Sequence, residues 1–209
     1  MDKYLEQEQV IRIIDHVAVT SRHPDRDRLL VKVMWETGAR VTEAVTLTIE
    51  HVGQSTIRLR NLKQQRLLKG AKRKVHDPDA MKDVQVSEEL CTEIKKYCTD
   101  NDIVKGYVFY SLRPERHVSA WYVWYMLDKA SLAAGVQVFG KNNPRTHGRS
   151  KGAYPHMLRH SNAMKLLDET KDITLVQKQL GHANVRTTQV YAYATEPKIK
   201  KAMKNIRWY

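Results

Sequence analysis

The sequence predicts an α+β protein that is mainly α: a helical domain carrying one small antiparallel β-sheet with an extended hairpin. Two observations predict it. Apolar residues recur at helical spacing over most of the chain, whereas strict period-two alternation is confined to two short stretches. Gly and Pro punctuate the segments where helices must start or stop. The 209 residues fit one large or two small domains and can bury a real core. No internal repeat or composition break divides them, so residues 1–209 read as one domain.

The elements follow in order. "YLEQEQVIRIIDHVAV" places Leu5, Val10, Ile13, Ile14 and Val17 on one helical stripe. The next helix has Pro24 in its first turn, an apolar face of Leu29, Leu30, Val33 and Met34, and Gly38 as its stop. "VTEAVTL" has room for a short helix only, with Glu43 near its start. "STIRLRN" and "DVQVS" alternate apolar with polar or basic residues and read as paired strands. Ser87 caps a helix whose first turn carries Glu88 and Glu89, complementing the helix dipole. Ser119 and Gly135 bracket a further helix, and its aromatics Trp121, Tyr122, Trp124 and Tyr125 read as core or interface. Pro155 opens another helix, Asp172 and Gly181 bound the next, and helices starting at Asn184 and after Thr195 complete the chain.

Charge is the unusual property. With 36 Lys and Arg against 23 Asp and Glu, the chain carries +13, which points to a polyanionic partner such as nucleic acid. The excess is local as well as global. From Arg58 to Lys82 there are nine Lys or Arg and only two acids, Asp77 and Asp79, so Lys69, Lys72, Arg73 and Lys74 are candidate phosphate contacts. A second acid-free loop, "KNNPRTHGRSKGAY", adds Arg145, Arg149 and Lys151. Cys91 and Cys98 lie seven apart on a helical stretch, form no metal-ligand pattern and read as reduced core residues. The N-terminus has no apolar signal core, and no run approaches the ~20 apolar residues that span a bilayer. A cytoplasmic, nucleoid-associated protein with no membrane partner is the expectation.

Three stretches could do chemistry. "PHMLRH" sets His156, Arg159 and His160 at i, i+3 and i+4, on one helix face. An arginine between two histidines repels a cation and suits an anion, since its planar fork matches two phosphate oxygens. No metal is therefore expected. "ETGARVTEAVTL" puts Arg40 just past a helix-ending glycine, where it would project into a cleft, with Glu43 either orienting a guanidinium or capping the next helix. "LGHANVRTTQVYAYATEP" offers His182 followed by Tyr191 and Tyr193. Residues two apart on a helix diverge by about 200°, so both cannot face one phosphate; geometry alone does not choose between them.

In this order and spacing the stretches resemble the tyrosine recombinase (phage integrase) family over nearly the whole chain. Its first box, TG-x-R-x-x-E-x-x-x-L, is matched by Thr37, Gly38, Arg40, Glu43 and Leu47. Its second, H-x-x-R-H, is matched by His156, Arg159 and His160. Its third, LGH followed nine residues later by Tyr, is matched by Leu180, Gly181, His182 and Tyr191. The resemblance implies a DNA-breaking and rejoining catalytic domain with Tyr191 as nucleophile and no cofactor. Arg40 and Arg159 would clamp the non-bridging oxygens, with His156 and His182 donating as well and Glu43 and His160 in support. It implies a general-acid lysine at the sheet turn, which Lys63 fits best, although Lys69, Lys72 and Lys74 share that hairpin.

The implied partner is double-stranded DNA, bound by a homotetramer on two sites, with a monomer or dimer free in solution. Most family members carry an N-terminal core-binding domain, and none is recognisable in this chain. It reads as either a piece of a longer protein or a compact recombinase. A type IB topoisomerase and a non-catalytic DNA-binding regulator are the competing readings. A plasmid-relaxation assay separates the first, and a covalent protein–DNA adduct would eliminate the second.

Overall fold

The computed structural model describes residues 4–62, 65–67, 74–76, 80–112, 115–136 and 152–180, with backbone alone for 65–67 and 74–76. Helix α1 (Gln7–Thr20) buries Val10, Ile13, Ile14 and Val17, the expected stripe, and Leu5 joins it from just before the helix. Helix α2 (Pro24–Thr37) begins on its proline and ends at Gly38, whose φ of 60° is the left-handed turn that glycine adopts without strain. Helix α3 (Val41–Val45) follows within four residues, and a 3-10 turn (Ile49–His51) leads into the strands.

The hairpin comprises two antiparallel ladders. Strand β1 (Thr56–Arg60) pairs with β4 (Met81–Gln85), and between them β2 (Gln65–Leu67) pairs with β3 (Lys74–His76). In the longer ladder Ile57 faces Val84 and Leu59 faces Lys82. The alternation sends Ile57, Leu59 and Val84 into the core and leaves Arg58 and Asp83 paired on the exposed side at 2.8 Å. Strand β4 begins two residues earlier than the "DVQVS" alternation indicates, so Lys82 shares the inward register of Val84.

Helix α4 (Glu88–Asp100) is capped as expected, Leu90 N donating to Ser87 Oγ at 3.1 Å. Cys91 and Cys98 are buried, unpaired thiols, and burial pushes Cys98 up to about 11. Helix α5 (Ala120–Ala133) is capped by Ser119. Its aromatics divide. Tyr122 and Trp124 are half-buried, whereas Trp121 and Tyr125 are 62% and 52% exposed and stack on each other at 5.7 Å, so of the core and interface readings these two do not belong to the core. They sit one turn apart on the helix face opposite Val123 and Leu127.

Helix α6 (Pro155–Thr170) starts on its proline, and α7 (Ile173–Leu180) is capped by Asp172 Oδ1, which accepts from Thr174 N at 2.7 Å. One apolar core joins α1 to α5, the β1–β4 ladder and the start of α6, while a smaller cluster seals α6 against α7 through Ala163, Met164, Leu167, Val176 and Leu180. The helices expected after Asn184 and Thr195 lie outside the described residues. No helix among the described residues is long and apolar enough to cross a membrane.

Candidate functional site

The site forms where the end of α2, the start of α3, strand β4, helix α6 and the end of α7 converge. The Gly38 turn releases the chain from α2, and Arg40 becomes the N-cap of α3. Glu43 is fully buried and does both things its position allowed. One carboxylate oxygen, Oε2, accepts from Arg40 N at 3.0 Å and so caps α3; the other, Oε1, accepts from Arg40 Nη1 at 2.7 Å and orients the guanidinium.

A third partner lies beyond the sequence expectations. Lys82 reaches inward from β4, its side chain 8% exposed, and donates to Glu43 Oε2 at 2.9 Å. Burial acts on Glu43 to raise its pKa, but Lys82 and then Arg40 outweigh it and hold the carboxyl below its ordinary value. Burial likewise lowers the pKa of Lys82, the attraction of Glu43 opposing and the nearby Arg159 and Arg40 reinforcing the shift. The signal for Lys82 is present in the sequence: in "KDVQV" the lysine occupies the same alternate set as Val84 and Val86, and a charge on the core side of a strand needs a buried partner.

Arg159, on α6, is 4% exposed. Its Nη1 donates to the Gly38 carbonyl at 2.5 Å and its Nη2 to the Leu180 carbonyl at 2.9 Å. One turn on, Asn162 Nδ2 donates to Trp35 O and Glu36 O at 2.8 and 3.0 Å. Thus two α6 side chains satisfy the open carbonyls at the end of α2, where a cation also complements the helix dipole. Lys82 Nζ shares the Leu180 carbonyl at 3.3 Å. Arg40 and Lys82 donate to the one Glu43 carboxylate and Arg159 meets Lys82 at the Leu180 carbonyl, so these three cations share a single acid. Such a site suits a phosphodiester anion.

His156 and His160 flank Arg159 on the same helix, His156 exposed among the buried residues of the first turn and His160 half-buried. Among the described residues no group of three or more His, Cys, Asp or Glu could hold a metal ion. Of the residues expected from sequence, the fold brings Arg40, Glu43 and Arg159 together. Lys63, Lys69, Lys72, Arg73, Arg145, Arg149, Lys151, His182 and Tyr191 lie outside the described residues; Lys74 opens β3 and only its backbone is described.

The profile of the Phage integrase family matches residues 3–197. The tyrosine recombinase XerA of Thermococcus kodakarensis is 32% identical over 209 residues, a match that takes in 99% of this chain and 64% of that protein. A crystal structure of XerA recombinase superposes with a TM-score of 0.72 at 25% identity, covering all of this chain and 67% of that one. XerH site-specific recombinase, solved bound to difH substrate as a pre-cleavage complex, has the same fold, with a TM-score of 0.69 at 22% identity over 92% of this chain and 50% of that one. The chain thus spans somewhat under two thirds of the length of the curated relatives it matches.

Proposed function

The chain belongs to the phage integrase family, and from that premise we propose that it is the catalytic part of a site-specific DNA recombinase working through a covalent 3′-phosphotyrosyl intermediate. One observation carries the reading. Arg159, from the second family box, donates at once to Gly38 of the first and Leu180 of the third, so three sequence-distant boxes meet at one guanidinium. XerH, a relative in fold that was solved with DNA bound, is a recombinase with its substrate in place.

In the proposed reaction the Tyr191 phenolic oxygen attacks the scissile phosphorus. A P–O bond to tyrosine forms as the P–O5′ bond breaks; the phenolic proton passes to His156, and the departing 5′-oxygen takes a proton from Lys63. Arg40, Arg159 and His182 stabilise the charge that builds on the non-bridging oxygens, each preorganised donor contributing about 3 kcal/mol. An ordinary phenol, with a pKa of ~10, needs such a cationic site to act as a nucleophile. The bond energy stays in the phosphotyrosine, so an incoming 5′-hydroxyl reverses the step without a cofactor. The partner is double-stranded DNA, and the assembly we propose on two sites is a homotetramer.

The test is covalent capture. The protein is incubated with a pool of duplexes carrying randomised, nicked cores, and adducts are recovered under denaturing conditions. The wild type and Tyr193→Phe are expected to form an adduct, and Tyr191→Phe none. If Tyr193→Phe alone abolishes it, the nucleophile is misassigned. No adduct from the wild type rejects the recombinase reading in favour of DNA binding without chemistry. Relaxation of supercoiled plasmid without recombinant products would favour a type IB topoisomerase.

A further inference from the structure

The described residues contain a buried cation for which the proposed chemistry has no step. Lys82 does not face solvent, and Glu43 already has the Arg40 guanidinium and the Arg40 amide as partners. Charge balance at Glu43 therefore does not require a second cation, and adding one makes the site more positive. Stability does not require it either, because an apolar side chain at an inward strand position generally serves as well as a buried ion pair. What Lys82 does is bridge. Its ammonium reaches the Glu43 carboxylate at 2.9 Å and the last carbonyl of α7, Leu180 O, at 3.3 Å.

That bridge stands beside a second tie between the same two elements. Gln179 Nε2 donates to Gln85 O at 2.6 Å, and Gln85 N donates to Gln179 Oε1 at 3.2 Å. Strand β4 thus grips the end of α7 at two points, one by backbone and amide, one by charge. The charged point is the one that also touches the carboxylate orienting Arg40.

We propose that Lys82 is a positioning residue of the site: by holding Glu43 and the Leu180 carbonyl together, it sets the Arg40 guanidinium in register with the end of α7, the point from which the chain continues to His182. The proposal rests on the recombinase reading of this site. Lys82 touches no reacting atom in this role. It acts through Glu43 on Arg40, and through the carbonyl of Leu180 on the first residue of the third box. The shared Leu180 carbonyl, bound by Arg159 as well, makes one oxygen the meeting point of β4, α6 and α7.

Two measurements test it, on Lys82→Met and on Lys82→Arg, which keeps the charge and can reach the same oxygens. The first is amide hydrogen exchange over residues 176–180 without DNA. Lys82→Met is expected to exchange about tenfold faster there with α1 and α2 unchanged, and Lys82→Arg to recover most of the protection. The second is single-turnover adduct formation on the nicked-duplex pool. Lys82→Met is expected to be slowed about 10–100-fold at DNA affinity within about threefold of wild type, and Lys82→Arg to be largely rescued. Unchanged exchange overturns the proposal. So does raised exchange with an unchanged adduct rate, since the tie would then be structural only. Should Lys82→Met not fold, the Glu43→Gln/Lys82→Met pair is compared with Glu43→Gln alone, and identical exchange overturns it. Absence of an adduct from the wild type is a different result: it rejects the recombinase reading, while the exchange arm still reports on the bridge.

Discussion

At the scale of single residues, Glu43 is the hinge of the site. Its carboxylate has no exposure, and it satisfies the Arg40 amide, the Arg40 guanidinium and the Lys82 ammonium at once. Glu43→Gln preserves the shape and can still cap α3, but it leaves Lys82 buried without a counter-charge. Loss of one partner of a buried pair costs about 3–5 kcal/mol, and urea denaturation is expected to read a loss of that size. The sign of the pH dependence follows from the depressed pKa of Glu43. A carboxyl held below its unfolded value contributes stability that is complete above about 4.5 and disappears as pH falls through the lower folded-state value. The Tm gap between wild type and Glu43→Gln is therefore expected to be constant from neutral pH to near 4.5 and to close below it, because a protonated Glu43 resembles the glutamine. A gap that is flat down to pH ~3 would mean that Glu43 is not the group holding the cations.

Between elements, the α2–α3 turn is the point of closest approach. A Cβ on Gly38 would stand 2.5 Å from Leu180 Cδ2 and 2.6 Å from Asn162 Oδ1, and φ there is already left-handed. Gly135 has a similar φ of 68°, but no described residue lies within 4 Å of a Cβ built there. Gly135→Ala is expected to cost only the backbone strain, about 1–2 kcal/mol. Gly38→Ala adds overpacking of about 1–3 kcal/mol, and the difference between the two, read from urea denaturation, isolates the crowding between α2, α6 and α7. Equal losses would show that the turn tolerates a methyl group. The helices that frame this turn are legible from sequence because each has its own stripe and its own stop: Pro24 and Gly38 for α2, Ser87 for α4, Pro155 for α6. The two boxes holding Arg40 and Arg159 are legible because their spacings are fixed by single helical turns. Lys82 is legible only in part: its alternation with Val84 and Val86 turns it inward, but the buried carboxylate it meets comes from 39 residues earlier in the chain. Trp121 and Tyr125 stay out of the core because Val123, Met126, Leu127 and Ala130 already fill the buried face of α5, and the two aromatics on the other side stack on each other.

For the molecule as a whole, the charge distribution separates two jobs. The buried excess at Arg40, Lys82 and Arg159 is small and fixed, suited to one phosphodiester, and contributes little to holding a long duplex. The remaining excess within the chain's +13 is available for a polyanion's many phosphates. The hairpin between β1 and β4 concentrates it, and Lys72, Arg73 and Lys74 stand together at the centre of that acid-poor stretch. If these three contact phosphates, reversing them to Glu lowers DNA affinity at all sequences alike, because phosphate contacts do not read bases. It also flattens the dependence of affinity on salt, by about one in the slope of log Kobs against log salt for each phosphate that is no longer neutralised. Fluorescence anisotropy on a mixed-sequence duplex, titrated from low to moderate salt, measures both quantities. A lower affinity with an unchanged slope would instead indicate a general loss of attraction from the altered net charge. No change in either would remove the hairpin from the DNA-contacting surface and shift attention to Arg145, Arg149 and Lys151. The same titration on Lys82→Met should leave the slope as in the wild type, since a buried positioning lysine releases no counterions when DNA binds.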